Sequence, residues 1–121
     1  MGRNGPFGEA RWTVSKRAGR LPENVKTHKL ATYRVKKDAV EKARATVAAF
    51  VDEVGRKEGG TARYEVWQHV DDPARFTHYM IFNTPAADKY HATTAWVKKF
   101  NDTMAPLYET PPVSSEVRPV P

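Results

Sequence analysis

Apolar and polar positions change their period several times along the chain, and each change marks an element. In Lys29 to Lys37, KLATYRVKK, the residues Ala31, Tyr33 and Val35 alternate with Thr32, Arg34 and Lys36. That period of two predicts a strand. Val40, Ala43, Val47, Phe50, Val51 and Val54 then recur at helical spacing, which predicts an amphipathic helix with Asp38 as its N-cap. Glu58-Gly59-Gly60 ends it, because glycine takes the left-handed conformation common at a helix C-terminus. Tyr64 to Phe82, YEVWQHVDDPARFTHYMIF, reads as two strands joined by a hairpin loop at Asp71 to Ala74. Pro85 starts a second helix, whose stripe of Tyr90, Trp96, Val97, Phe100 and Met104 runs to about Ala105. Pro112 to Val120 supplies a short last strand, placed at a sheet edge by its prolines. The order β-α-β-β-α-β predicts an α+β, ferredoxin-like domain: a four-stranded antiparallel sheet with two helices on one face.

The hairpin adds an expectation about assembly. With Val70 opposite Arg75, Trp67 faces His78 and Val66 faces Tyr79. One side then holds Glu65, Trp67, His69, Phe76, His78, Met80 and Phe82, and the other Tyr64, Val66, Gln68, Thr77, Tyr79 and Ile81. A sheet with one wet face alternates cleanly between apolar and polar, and this one does not. Helices cover one side, so a second copy packed sheet against sheet is expected on the other, giving a homodimeric α+β barrel.

Composition narrows the class. At 121 residues the chain is expected to form one domain. It has no cysteine, which excludes disulfides, thiolate metal sites and thiol nucleophiles. No apolar run approaches the roughly 20 residues of a membrane span, and no secretory signal is visible. A soluble, cytoplasmic protein without a membrane partner is the expectation. Of the formal net charge of +6, residues 1–29 carry +5. The basicity therefore belongs to a Gly-rich leader, read as a flexible extension over residues 1–28 ahead of the domain at 29–121. Wrapping of a dimer through Trp12 and polyanion binding by the arm are the alternatives for it. Nucleic acid is not the expected partner of the folded body.

ATYRVKKDA, a helix ending in glycines, RYEVWQHVDDPARF, a third strand, HATTAWVKKF and APLYETPPV occur in that order. Together they resemble the antibiotic biosynthesis monooxygenase domain family of dimeric α+β barrels, over roughly Leu30 to Val117. The most recognisable parts are Tyr64, Asp72-Pro73 and Phe76 in the hairpin, His91 three residues before Thr94, and Phe100 and Leu107. The resemblance implies a dimer with a pocket between sheet and helices in each subunit. It also implies oxidation of quinols, anthrones or related phenolic aromatics by O₂ without metal or flavin; other members isomerise small carbonyl compounds, degrade haem or have no known reaction. Many members carry a glutamate on the third strand where this chain has Met80.

Oxygenation without a cofactor asks the protein for an apolar cavity, a base that turns the substrate into an electron-rich anion, and donors to hold its oxygen. His91 matches the family's histidine and is the expected base, a role for which neutral imidazole is suited near pH 7. His78, with Trp67 opposite it, is a second candidate. Tyr64, Tyr79, Tyr90, Thr94 and Trp96 are candidate substrate-binding residues, against the plainer reading of tyrosines and Trp96 as core or pocket wall and of Thr94 bonded back to its own helix.

No metal site is expected. In the expected register Glu65 stands about 13 Å along the strand from His69, too far to complete a two-histidine, one-carboxylate triad with His78. The asparagine, tryptophan and histidine of the haem-degrading members do not transfer either, since the first strand has no asparagine and Trp67 lies on the second strand. The expected activity is thus a cofactor-independent monooxygenase acting on a hydroxylated aromatic or quinol. A non-catalytic dimeric stress or ligand-binding protein and a polyanion-binding module are the alternatives.

Overall fold

Four strands and three α-helices follow one another in a computed structural model that describes residues 25–121. The basic leader, and with it the polyanion-binding reading, falls mostly in residues 1–24, outside the described residues. Strand β1 spans Thr27–Val35, helix α1 Val40–Lys57, β2 Thr61–Gln68 and β3 Arg75–Phe82. Helices α2, Pro85–Thr93, and α3, Ala95–Met104, precede β4, Tyr108–Val117. The sheet order is β2-β3-β1-β4 and all its pairs are antiparallel. This is the ferredoxin-like α+β fold.

The core forms where the predicted stripes meet. Ala43, Val47, Phe50 and Val54 of α1 and Phe100 and Met104 of α3 are buried against Tyr33, Val35 and Phe76 of the sheet. The Phe50 and Phe100 rings stack with centroids 4.4 Å apart and so join the two helices. Gly60 lets β2 begin close under α2: a Cβ added there would lie 2.8 Å from the Cβ of Ala87.

Three local expectations change. Asp38 does not cap α1, because it sits inside a 3-10 turn, Lys37–Ala39, that precedes the helix and makes no side-chain capping bond. The single second helix is two. Thr94 takes an extended conformation (φ −74°, ψ 154°), and its hydroxyl accepts from the Val97 amide at 3.2 Å to start α3. Strand β4 begins at Tyr108, and its register shifts between Thr32 and Arg34 of β1, where Pro111 and Pro112 lack ladder donors. It is an edge strand, as its prolines implied.

The larger correction is the hairpin register. Val66 faces His78 and Trp67 faces Thr77, one residue away from the expected pairing. The cause is the loop. His69 donates its amide to the Arg75 carbonyl at 3.0 Å, so Val70 to Ala74 all lie in the connection and Val70 pairs with nothing in the ladder. Arg34 grips that loop with two hydrogen bonds to Asp72, at 3.0 and 3.2 Å, and these bonds hold the Asp72 carboxyl below its usual pKa.

A slip of one residue turns every side chain of a strand to the other face. Tyr64 and Val66 therefore join Phe76, His78, Met80 and Phe82 beneath the helices, while Glu65, Trp67 and His69 share the open face with Thr77, Tyr79 and Ile81. Trp67 and His78 do not form a pair. Leu30, Trp67, Tyr79, Ile81 and Val113 remain as the apolar part of that open face, interspersed with His28, Thr32, Arg34 and Thr77.

Candidate functional site

Between sheet and helices lies a cavity of about 280 Å³. Phe50, Met80, Val97, Phe100 and Tyr108 make its apolar wall, and His78, His91, Tyr33 and Tyr64, with Asn101 and Ser114, its polar groups. Lys29 and Asp88, ion-paired at 3.0 Å, stand at its lining as well. A second concavity, about 360 Å³, runs between α1 and α3 and includes Lys42, Thr46, Trp96 and Lys99. It contains no histidine, whereas His78 and His91 both line the first.

His91 is placed by the corrected packing. It lies near the end of α2, its ring 5.1 Å from that of Phe82 and 5.6 Å from that of Tyr64. Its Nδ1 is 2.8 and 2.9 Å from the carboxylate oxygens of Glu58, the residue that ends α1. Glu58 is only 5% exposed and also accepts from the Thr61 hydroxyl at 2.7 Å and from the Trp96 indole N–H. A buried carboxylate with three donors is a satisfied one. It holds the proton of a neutral His91 on Nδ1 and leaves the Nε2 lone pair as the free base position. No described residue hydrogen-bonds Nε2.

His78 has another environment. It is 3% exposed, with Nε2 2.8 Å from the Tyr33 hydroxyl and Nδ1 2.8 Å from the Tyr64 hydroxyl. Burial, and then the nearby His91, lowers its pKa to about 4. Burial likewise raises both tyrosines well above the usual phenol value, with the charge of Glu58 adding to the shift at Tyr64; Tyr108 is pushed up to about 12. The trio is neutral around pH 7. His78 is thus a weak base and a good hydrogen-bonding bridge.

Of the residues singled out from the sequence, His91, His78 and Tyr64 meet at the cavity. Trp96 reaches the site through Glu58. Thr94 donates to the His91 carbonyl at 3.0 Å and caps α3, so its hydroxyl already has two protein partners. Tyr79 lies on the open face, 3.0 Å from Nδ1 of His28, and Tyr90 is exposed on α2. Trp67, 61% exposed, bonds Glu65 on the open face.

Two residues of the site, Glu58 and Tyr33, were not anticipated. The signal for Glu58 was an acid at the C-terminal end of a helix, the end where the macrodipole disfavours it. For Tyr33 it was membership of the inward set of β1, together with a hydroxyl that must find a partner when buried. Among the described residues no three His, Cys, Asp or Glu side chains converge to hold a metal ion.

The family model for antibiotic biosynthesis monooxygenases matches residues 27–103. The chain belongs to that family. Solved structures agree on the fold. A protein from Nitrosomonas europaea with the same family description is 23% identical over 81% of this chain and 92% of its own, with a TM-score of 0.73. One from Caulobacter crescentus is 17% identical over 82% and 93%, with a TM-score of 0.76. A conserved protein from Methanosarcina mazei is 17% identical over 79% and 94%, at 0.72. No curated protein sequence matches the chain. As an antibiotic biosynthesis monooxygenase family member it has a third-strand methionine, Met80, in the cavity wall, and its Glu58, at the end of α1, stands behind that wall and meets the cavity through His91. Among the described residues no helix is long and apolar enough to cross a membrane.

Proposed function

We propose that the protein is a cofactor-independent monooxygenase of hydroxylated aromatics or quinols, working in the cytoplasm as a homodimer. The observation that carries this reading is the Glu58–His91 pair at the cavity: a carboxylate on Nδ1 orients an imidazole and fixes its tautomer, with Nε2 left free as the base position. In this reading Nε2 removes a proton from an anthrone-type substrate, and the resulting anion gives an electron to O₂. The radical pair joins as a carbon-bound peroxide, which takes the proton back from His91. Loss of water, from the hydroperoxide's terminal OH and the remaining C–H proton, leaves the carbonyl. One oxygen atom ends in the product and one in water. Oxygen uptake with anthrone and hydroquinone tests the reading; uptake at the uncatalysed rate, or a rate unchanged by His91→Ala, sinks it.

Dimerisation is supported by Leu30, Trp67, Tyr79, Ile81 and Val113 on a sheet face that no helix among the described residues covers. A second reading, a ligand-binding protein without turnover, is favoured by Met80, which offers no acid or base where many members carry glutamate. Saturable binding of hydroquinone with no oxygen uptake would select it.

A further inference from the structure

His78 bridges two tyrosine hydroxyls, and its protons do not come out even. A neutral imidazole has one donor and one acceptor nitrogen. If Nδ1 accepts from Tyr64, Nε2–H donates to Tyr33 and the Tyr33 proton is left over. If Nε2 accepts from Tyr33, Nδ1–H donates to Tyr64 and the Tyr64 proton is left over. Each tyrosine hydroxyl has His78 as its one hydrogen-bond partner among the described residues, and both tyrosines line the cavity. In either tautomer one phenolic O–H is therefore unanswered by the described residues. A buried donor without an acceptor costs about 1–3 kcal/mol, so whatever occupies the cavity, water or a ligand that displaces it, supplies one.

We propose that Tyr33, Tyr64 and His78 form a neutral donor set that binds an acceptor oxygen of the ligand. The cavity then takes a small ring system with two oxygen functions: a hydroxyl for His91 and a carbonyl or second hydroxyl for a tyrosine. The hydroxyl half rests on the reading of His91 as base; the acceptor half does not. Tyr33, from the centre of the sheet, is assigned a ligand contact, and His78 is a positioning residue whose tautomer selects which tyrosine donates. Because burial keeps both phenols protonated, the set can stabilise negative charge building on the ligand's oxygen without ionising. A volume of about 280 Å³ sits near the lower end of the usual ligand-pocket range of about 300–1,000 Å³, which favours one or two rings.

Two probes of similar size separate the halves: 4-hydroxyacetophenone has a phenol and a carbonyl, 4-ethylphenol the phenol alone. Calorimetry on the full chain should show the ketone bound about 3- to 10-fold more tightly, the worth of one hydrogen bond. Tyr33→Phe combined with Tyr64→Phe should erase that preference. In the unmutated protein, long-range proton–nitrogen NMR of labelled histidines should show His78 neutral at pH 7, with its tautomer pattern altered by the ketone and unaltered by 4-ethylphenol. This readout stands even if the double variant does not fold. Equal affinities, no measurable binding of either probe, a preference that survives the double variant, or a His78 pattern indifferent to the ketone would each overturn the proposal. In His91→Ala the ketone preference should persist while oxygen uptake disappears, so failure of the base and failure of the donor set are told apart.

Discussion

Nδ1 of His91 lies 2.8 Å from Oε1 of Glu58, so the end of one helix fixes the tautomer of a histidine on the next. Glu58→Gln keeps the shape and removes the charge. It should lower the oxygen-uptake rate less than His91→Ala does, whose expected loss is about 10²–10⁴-fold, the usual contribution of a positioned base. Comparing the two variants by oxygen electrode, with circular dichroism to confirm folding, checks the order.

Glu58→Ala should behave differently from Glu58→Gln. It strands the His91 Nδ1–H, the Trp96 indole and the Thr61 hydroxyl, all donors to the lost carboxylate. The expected cost is about 1–3 kcal/mol for the buried His91 N–H left unpaired, with less from the half-buried Trp96 and Thr61 donors, read as a lower denaturation midpoint.

His78 makes stability depend on pH. Its pKa falls from 6.5 to about 4 on folding, so between those values the unfolded chain binds a proton that the folded one refuses. The stabilisation is complete above pH 6.5 and is lost as pH falls towards 4, by about 3 kcal/mol from this residue. His78→Gln keeps a donor and an acceptor but does not titrate. Urea midpoints measured from pH 7 to pH 4 should fall less steeply in that variant.

Gly60 meets Ala87 with no room for a methyl group. Gly60→Ala should destabilise by about 1–3 kcal/mol, the usual cost of overpacking. Ala87→Gly in the same chain should recover most of the overpacking part, and a double-mutant cycle in thermal denaturation measures it.

Trp67 tests the dimer. Exposed in a single chain, Trp67→Ala should change monomer stability by no more than about 0.5 kcal/mol. At the centre of a sheet-to-sheet contact it would cost about 2 kcal/mol of association or more. Sedimentation equilibrium of the variant should therefore show a dissociation constant raised at least about 30-fold; an unmutated protein that is monomeric at micromolar concentration would refute the contact itself.

Much of the architecture was readable from periodicity, because the stripes Val40 to Val54 and Trp96 to Met104 and the alternation Ala31-Tyr33-Val35 each have one way to bury themselves. The position of His91 at the cavity could be expected from its place in the family's order of motifs. The register of β2 was not. Val70 looks like a strand residue, and only the His69 to Arg75 hydrogen bond, with Arg34 holding Asp72 from the neighbouring strand, assigns it to the loop. The same one-residue difference moved Trp67 out of the site and Tyr64 beside His78. Glu58 was hidden for another reason: an acid at the end of a helix looks solvated until Thr61, His91 and Trp96, from three other elements or their edges, close over it.

The loop from Val70 to Ala74 touches no wall of the cavity, yet it acts as its selector. Removing one residue there would turn β2 over against β3, bringing Trp67 and Glu65 beneath the helices and sending Tyr64 and Val66 out. A relative with a shorter turn could present an indole and a carboxylate where this chain presents a phenol, with every strand and helix still in place. Within this fold, chemistry can change by insertion and deletion in a distant turn, without a substitution at the site.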